Sequence, residues 1–401
     1  MNPHHETIEK LRPFIRRDRL VETAVALVGV PSRTGEAGEV SDVLARLLAA
    51  DGFSVERPTG GYDPAPAVVT RLDSGKPGRT IQFNGHLDTV HLPFVAPGVK
   101  GDLITGSGAS DMKSGVAAAV EAVRALRDSG ALPGGSVLFT AHDLHESPWG
   151  DGRQLDTLIR EGYVGQAVLI PEPLSDPLPV IGRGLAAWKV AVCRNGAPVH
   201  EVMRPPDEPS VISAAGLLLR ELDRLNDALG AEHVPPSGGG ADPGKASVFV
   251  GQVHAGEIFN QYPQNCRLEG TRRWLPGTDR HQVEREFREL LGRVARESRT
   301  TIDCEWFFTR DAYYLDTNDP FVGTFCGAYS SLSGRDLPLG SKPFVDDGNS
   351  FWAIAGVPAI THGPKAGGQH TLDEWVSIDD LERVALLYAA TAVSYCAGPK
   401  G

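Results

Sequence analysis

The sequence predicts an α/β protein in which a mostly parallel, helix-flanked sheet is interrupted by a smaller α+β unit. Three observations lead there. Residues 20–181 alternate amphipathic helical patterns with short apolar strand patterns. Residues 185–308 change to two helices among about four strands, and the alternation then returns before a long C-terminal helix. These changes set the boundaries at 1–181, 182–309 and 310–401, so that the first and third segments form one domain around an insert.

The elements follow in order. Residues 20–30, ending ahead of Pro31, and 39–50 have helical periodicity, and 67–71 and 80–84 are short strands. Residues 111–128 carry Met112, Val116, Val120, Val123 and Leu126 on one helical face, with Gly130 as a stop signal. The apolar runs 136–141 and 167–170 lie between turns, as buried strands do. In the insert, 185–193, 247–253, 266–274 and 301–308 are strands, 209–225 and 282–297 are helices, and Ser237 to Gly240 is glycine-rich. The last helix covers 379–395.

Composition removes several classes of function. The 51 acidic residues outnumber the 39 basic ones, and a net charge of −12 repels phosphate backbones and anionic lipid, so neither nucleic acid nor membrane is an expected partner. No apolar run approaches a bilayer-spanning length, and the first ten residues lack the basic and apolar parts of a signal peptide, which predicts a cytoplasmic location. The 5 cysteines are odd in number and form no CxxC pair, so they are expected to be reduced core residues.

Chemistry-bearing residues gather at predicted strand ends and loops, where open sheets bind ligands. His86 and Asp88 close one strand in the run Gly-His-Leu-Asp-Thr-Val, a pattern suited to a metal ligand and the carboxylate that orients it. Asp111 follows a Gly-Ser-Gly loop at the predicted start of a helix, where it could cap the helix or bind metal. His142, His145 and Glu146 follow another strand, and Pro148 and Gly150 argue against a helix there. Glu172 sits between two prolines, and His370 ends a glycine-rich loop before Asp373 and Glu374. Read alone, each could be a turn or solvent-facing residue. Together they suit a two-metal hydrolase site, because zinc takes His and carboxylate ligands and keeps an open position for water. A serine hydrolase is disfavoured, since no GxSxG elbow occurs at a strand-to-helix turn.

This ordered set resembles the dinuclear zinc aminoacylase and carboxypeptidase family, which includes acetylornithine deacetylase, succinyl-diaminopimelate desuccinylase and glutamate carboxypeptidase. The resemblance covers residues 20–393. It implies that His86 and Glu172 bind one metal, that Glu146 and His370 bind the other, that Asp111 bridges them and that Asp88 orients His86. It implies two divalent ions, zinc ahead of cobalt or manganese. It further implies that the insert is a lid and dimerisation domain whose His200 reaches a partner subunit's site, and that Asn260 and Arg273 hold a substrate carboxylate. Three carboxylates against two divalent ions leave a net of about +1, which favours a bridging hydroxide as nucleophile. The expected reaction is hydrolysis of an N-acyl amino acid or short peptide. Alternatives are an unusual amide or carbamoyl substrate, and a non-catalytic metal- or ligand-binding protein.

The sequence departs from the family pattern twice. Where two acidic residues normally stand, it has His145 then Glu146, so His145 would be the proton shuttle and Glu146 the ligand. The reverse assignment uses equally good chemistry, and position alone favours the first. Residues 201–206 also replace the small-residue pattern usual after the lid histidine.

Overall fold

The computed structural model describes residues 3–146, 150–231, 242 and 244–398. Its central sheet has the spatial order Val55–Glu56, Val68–Asp73, Ser136–His142, Thr80–His86, Ala167–Ile170 and Ala359–Thr361. The last four strands are parallel, and the first two add an antiparallel edge. Ser136–His142 and Ala167–Ile170 are buried along their whole length, as parallel strands covered on both faces must be.

Lys113–Ser129 packs against Arg17–Val28 and Ile378–Cys396. It is buried from Lys113 to Leu126, which its alanine- and valine-rich sequence permits on every side, and Gly130 ends it in a left-handed conformation. The insert builds an antiparallel sheet in the order Ser247–Ala255, Asn265–Trp274, Gly184–Cys193 and Thr301–Arg310. Gly184–Cys193 alternates buried and more accessible residues, so one face of this sheet is covered. Helices Val211–Ala231 and Arg280–Ser298 cover it through Leu218, Leu222, Phe287 and Leu291, which close a core with Trp188 and Leu268. That core is separate from the large cluster around the central sheet.

The expected strands and helices recur within a few residues of their predicted ends, with some differences. Asp111 lies outside its expected helix, which starts at Lys113 with Met112 as N-cap, so its carboxylate caps nothing there. Helices Pro3–Leu11, Arg153–Arg160 and Pro320–Ser333 were not anticipated from periodicity. The last carries legible end signals: Asp319 caps the Phe321 amide, Pro320 opens the first turn and Gly334 closes the last. Pro148 and the Ser237 to Gly240 segment lie outside the described residues.

One close approach fixes the sheet edge against its covering helix. A Cβ at Gly115 would lie 2.1 Å from the Pro171 carbonyl oxygen, so only glycine lets the first helical turn meet the Pro171–Glu172 loop. Gly115→Ala should therefore lower unfolding stability by about 1–3 kcal/mol. Urea unfolding measures this, and an unchanged midpoint would mean that the loop yields at no cost.

Candidate metal centre

The parallel strands end on one edge, and the chemistry collects there. His86 is the last residue of its strand and pairs in register with His142 on the neighbouring one. His145 and Glu146 follow His142, and Glu172 follows the strand that ends at Ile170. Three distant sequence segments thus meet because their strands run the same way. Two loops complete the group, bringing Asp111 from just ahead of Lys113–Ser129 and His370 from beyond Ala366–Gly367.

His86 Nε2 lies 3.2 Å from Asp111 Oδ1 and 3.5 Å from Glu172 Oε1. His370 Nε2 lies 3.5 Å from Asp111 Oδ2 and 3.2 Å from Glu146 Oε1. Asp111 therefore divides its two oxygens between two sets of one imidazole and one carboxylate each. Donor atoms of His86, Asp111 and Glu146, and likewise of His86, His145 and Glu172, lie within 4.8 Å of one another. The buried Glu172 Oε1 has no hydrogen-bond partner among the described residues, although two imidazole nitrogens face it. Such a carboxylate oxygen is costly to bury unless a cation completes it, so these residues fit divalent ions. Access is from the His370 side, whose side chain is 55% exposed.

Neighbouring groups hold this cluster in place. His86 Nδ1 lies 3.0 Å from the Asp88 carbonyl oxygen and 3.6 Å from its carboxylate. The Asp88 carboxylate instead accepts from Thr34 Oγ1 at 2.6 Å and from the amides of His145 and Glu146 at 3.0 and 2.8 Å, fixing the loop that carries them. Glu374 accepts from the Ser110 and Asp111 amides at 3.1 Å each and so positions the shared carboxylate. Burial drives the Glu374 carboxyl up to about 7 and the Lys113 ammonium, which donates to Val30 O, down to about 7.

Sequence reasoning missed Asp347. Its Oδ2 accepts from His142 Nε2 and Asn84 Nδ2, each at 2.8 Å, and its Oδ1 lies 2.8 Å from His145 Nδ1. His142 and His145 thus share one carboxylate. The only trace in the sequence is the acidic turn Asp346-Asp347-Gly348-Asn349, whose capping box orients it.

The substrate-side residues lie in the insert. His200 is half exposed, with Nδ1 2.8 Å from Glu201 and Nε2 3.0 Å from Asn260 Nδ2, and its polar contacts include none with the cluster of its own chain. His200 and Asn260 are thus brought together, apart from the His, Asp and Glu cluster. Arg273 is partly buried beside Arg183; burial, and then that like charge, depress its pKa, and no acid pairs with it among the described residues.

The model of peptidase family M20/M25/M40 matches residues 82–394. Succinyl-diaminopimelate desuccinylase of Methylobacterium radiotolerans is 28% identical over 95% of this chain and 98% of its own. Among solved structures, an M20 family metallo-carboxypeptidase from Sulfolobus solfataricus superposes with a TM-score of 0.75 at 15% identity, covering 95% of this chain and 100% of the other. A dinuclear metal-binding M20 peptidase from Bacillus subtilis gives 0.67 at 16%, covering 95% and 98%.

Without metal, crowding and burial favour a proton on Glu172. Burial, then repulsion from Asp111, raises the Glu172 carboxyl well above its usual range. Burial opposes charge on His86, but Asp111 and Glu172 outweigh it and raise the imidazole's pKa. Hydrogen bonds that His370 donates to Asp111 and Glu146 lift its pKa to about 10. At neutral pH, His370 is therefore protonated in the free protein and must lose that proton to become a ligand, so metal uptake should release protons. Zinc affinity is expected to increase between pH 6 and 8, and titration calorimetry in buffers of different ionisation enthalpy reads the released protons directly. A pH-independent affinity with no proton release would contradict this.

Proposed function

Because the chain belongs to peptidase family M20/M25/M40, we propose that it cleaves the amide bond of an N-acyl amino acid or short peptide bearing a free carboxylate beside that bond. It is a metal-dependent amide hydrolase. The observation that carries the reading is the sharing of Asp111 between the His86–Glu172 and His370–Glu146 sets. In this reading those five residues hold two divalent ions. Zinc suits an imidazole and carboxylate donor set with no thiolate, ahead of cobalt or manganese. When bound, the ions polarise the scissile carbonyl and acidify water.

His145 is the proton carrier, taking a proton from the attacking water and giving it to the leaving amine. The arrangement of the rings supports this over the reverse assignment. His86 and His145 stack with centroids 3.9 Å apart and planes 13° from parallel. His145 Nε2 faces Glu172 of the His86 set, 3.6 Å from its Oε1, and because imidazole lone pairs lie in the ring plane the two stacked rings do not both aim at that set's ion. Glu146, facing His370, is left as the ligand.

Residues 182–309 act as a lid and dimerisation domain, and 1–181 with 310–401 as the catalytic domain. The Arg273 cation, which no acid pairs among the described residues, suits the substrate carboxylate, and Asn260 is assigned to the same task. His200 serves a partner subunit's site by donating to the developing oxyanion, which agrees with its lack of contact with its own cluster. A cytoplasmic homodimer is the proposed form; among the described residues no helix is long and apolar enough to cross a membrane.

The test is a panel of N-acyl amino acids, dipeptides and carbamoyl compounds, read by mass spectrometry with metal-reconstituted and chelated protein. Turnover should require metal, and undiminished turnover at verified zero metal would sink the reading. His145→Ala should keep both ions while kcat falls about 100-fold or more; loss of an ion with His145→Ala but not with Glu146→Gln would reverse the two roles. Removing an oxyanion donor costs on the order of 100- to 1,000-fold in kcat, so His200→Ala should be nearly inactive with metal intact. Mixing His200→Ala with Asp111→Ala subunits should restore partial activity, since one site of the mixed dimer has both an intact cluster and a donated His200. No recovery in confirmed heterodimers would remove His200 from the partner's site.

A further inference from the structure

We propose that Asp347 is a positioning residue that sets the tautomer of His145, placing the ring proton on Nδ1 and presenting a bare Nε2 to the metal cluster. The inference rests on the reading of His145 as proton carrier. Asp347 is fully buried and its carboxylate is held on every side. Oδ2 accepts from His142 Nε2 and from Asn84 Nδ2, and the Asn84 amide is itself oriented because its oxygen accepts from Thr140 Oγ1 at 2.8 Å. The opposite oxygen, Oδ1, faces His145 Nδ1 at 2.8 Å, with Arg310 Nη2 at 3.7 Å. A carboxylate only accepts, so the ring nitrogen against it must carry a proton.

The other side of the ring completes the argument. His145 Nε2 lies 3.6 Å from Glu172 Oε1, the buried oxygen that has no hydrogen bond. With Nδ1–H committed to Asp347, Nε2 keeps its lone pair on the side where a water and an amide would meet the cluster. The stacked His86 ring blocks rotation of His145 about its own axis. His142 reaches the same carboxylate from the neighbouring strand, and its Nδ1 lies 3.0 Å from the Asp143 carbonyl oxygen. Both of its ring nitrogens face acceptors, so His142 is a charged support for Asp347 rather than a competitor for the site.

The geometry makes an unusual prediction for Asp347→Asn. Two donors, from His142 and Asn84, point at the Oδ2 position, so the amide oxygen must take that place and the NH2 group must turn to His145. Nδ1 then becomes an acceptor and the proton moves to Nε2, where it blocks uptake of another. In a related arrangement a carboxylate-to-amide change of this kind leaves geometry intact and still removes most of kcat.

The experiment is long-range proton–nitrogen NMR on zinc-loaded, nitrogen-15 histidine-labelled protein, with His145→Gln identifying the His145 signals, run beside metal analysis and kinetics. We expect wild-type His145 to be protonated at Nδ1, and Asp347→Asn to show the proton on Nε2. The variant should retain both ions, lose at least about 100-fold in kcat and change little in KM. A wild-type His145 protonated at Nε2 overturns the proposal whether or not the variant folds. So does a variant that keeps the Nδ1 proton and full kcat, or one that loses an ion, which would make His145 a metal ligand braced by Asp347. If wild type hydrolyses nothing in the panel, the reading of function fails, while the tautomer measurement still decides what Asp347 does to His145.

Discussion

Three carboxylates, Asp111, Glu146 and Glu172, share one largely buried edge of a sheet, and most of the surrounding structure answers that constraint. Burial alone penalises each charge, and proximity adds repulsion. The protein relieves this with imidazoles rather than with lysine or arginine. His86 and His370 each face two of the carboxylates and can give up their protons when a divalent ion arrives. A permanent cation in their place would neutralise the cluster and close it to metal. The site is thus strained in its charge but prepared in its geometry, which is the state from which an ion is bound with little rearrangement.

Rigidity comes from backbone donors rather than from packing alone. Asp88 grips the amides of His145 and Glu146, and Glu374 grips those of Ser110 and Asp111, so two loops are held by carboxylates outside the cluster itself. Gly115 lets the covering helix press on the Pro171–Glu172 loop from the other side. A cluster carried on loops would otherwise drift by more than catalysis tolerates.

The exchange of an acidic residue for His145 changes what the neighbourhood must supply. A carboxylate base has equivalent oxygens and needs no tautomer control; an imidazole has two distinct nitrogens and does. Asp347, His142 and Asn84 form a connected buried network at the required place. Arg310, where the strand Thr301–Arg310 ends, stands 3.7 Å from Asp347 Oδ1, so the chain passes this network as it returns from the insert.

By itself the sequence determined the alternation of strands and helices, the change to an α+β pattern in the middle of the chain, and the His, Asp and Glu positions at strand ends, because hydrophobic period and motif spacing are local properties. It also exposed the anomaly at His145, since that lies within one motif. Tertiary structure alone decided that Asp111 stands outside its helix, that Asp88 uses its carboxylate on a loop more than on His86, and that His142 and His145 share Asp347. Asp347 lies 202 residues from His145 and carries no motif. Only the parallel pairing of strands, which aligns their carboxyl ends on one edge, brings such distant groups within hydrogen-bond reach.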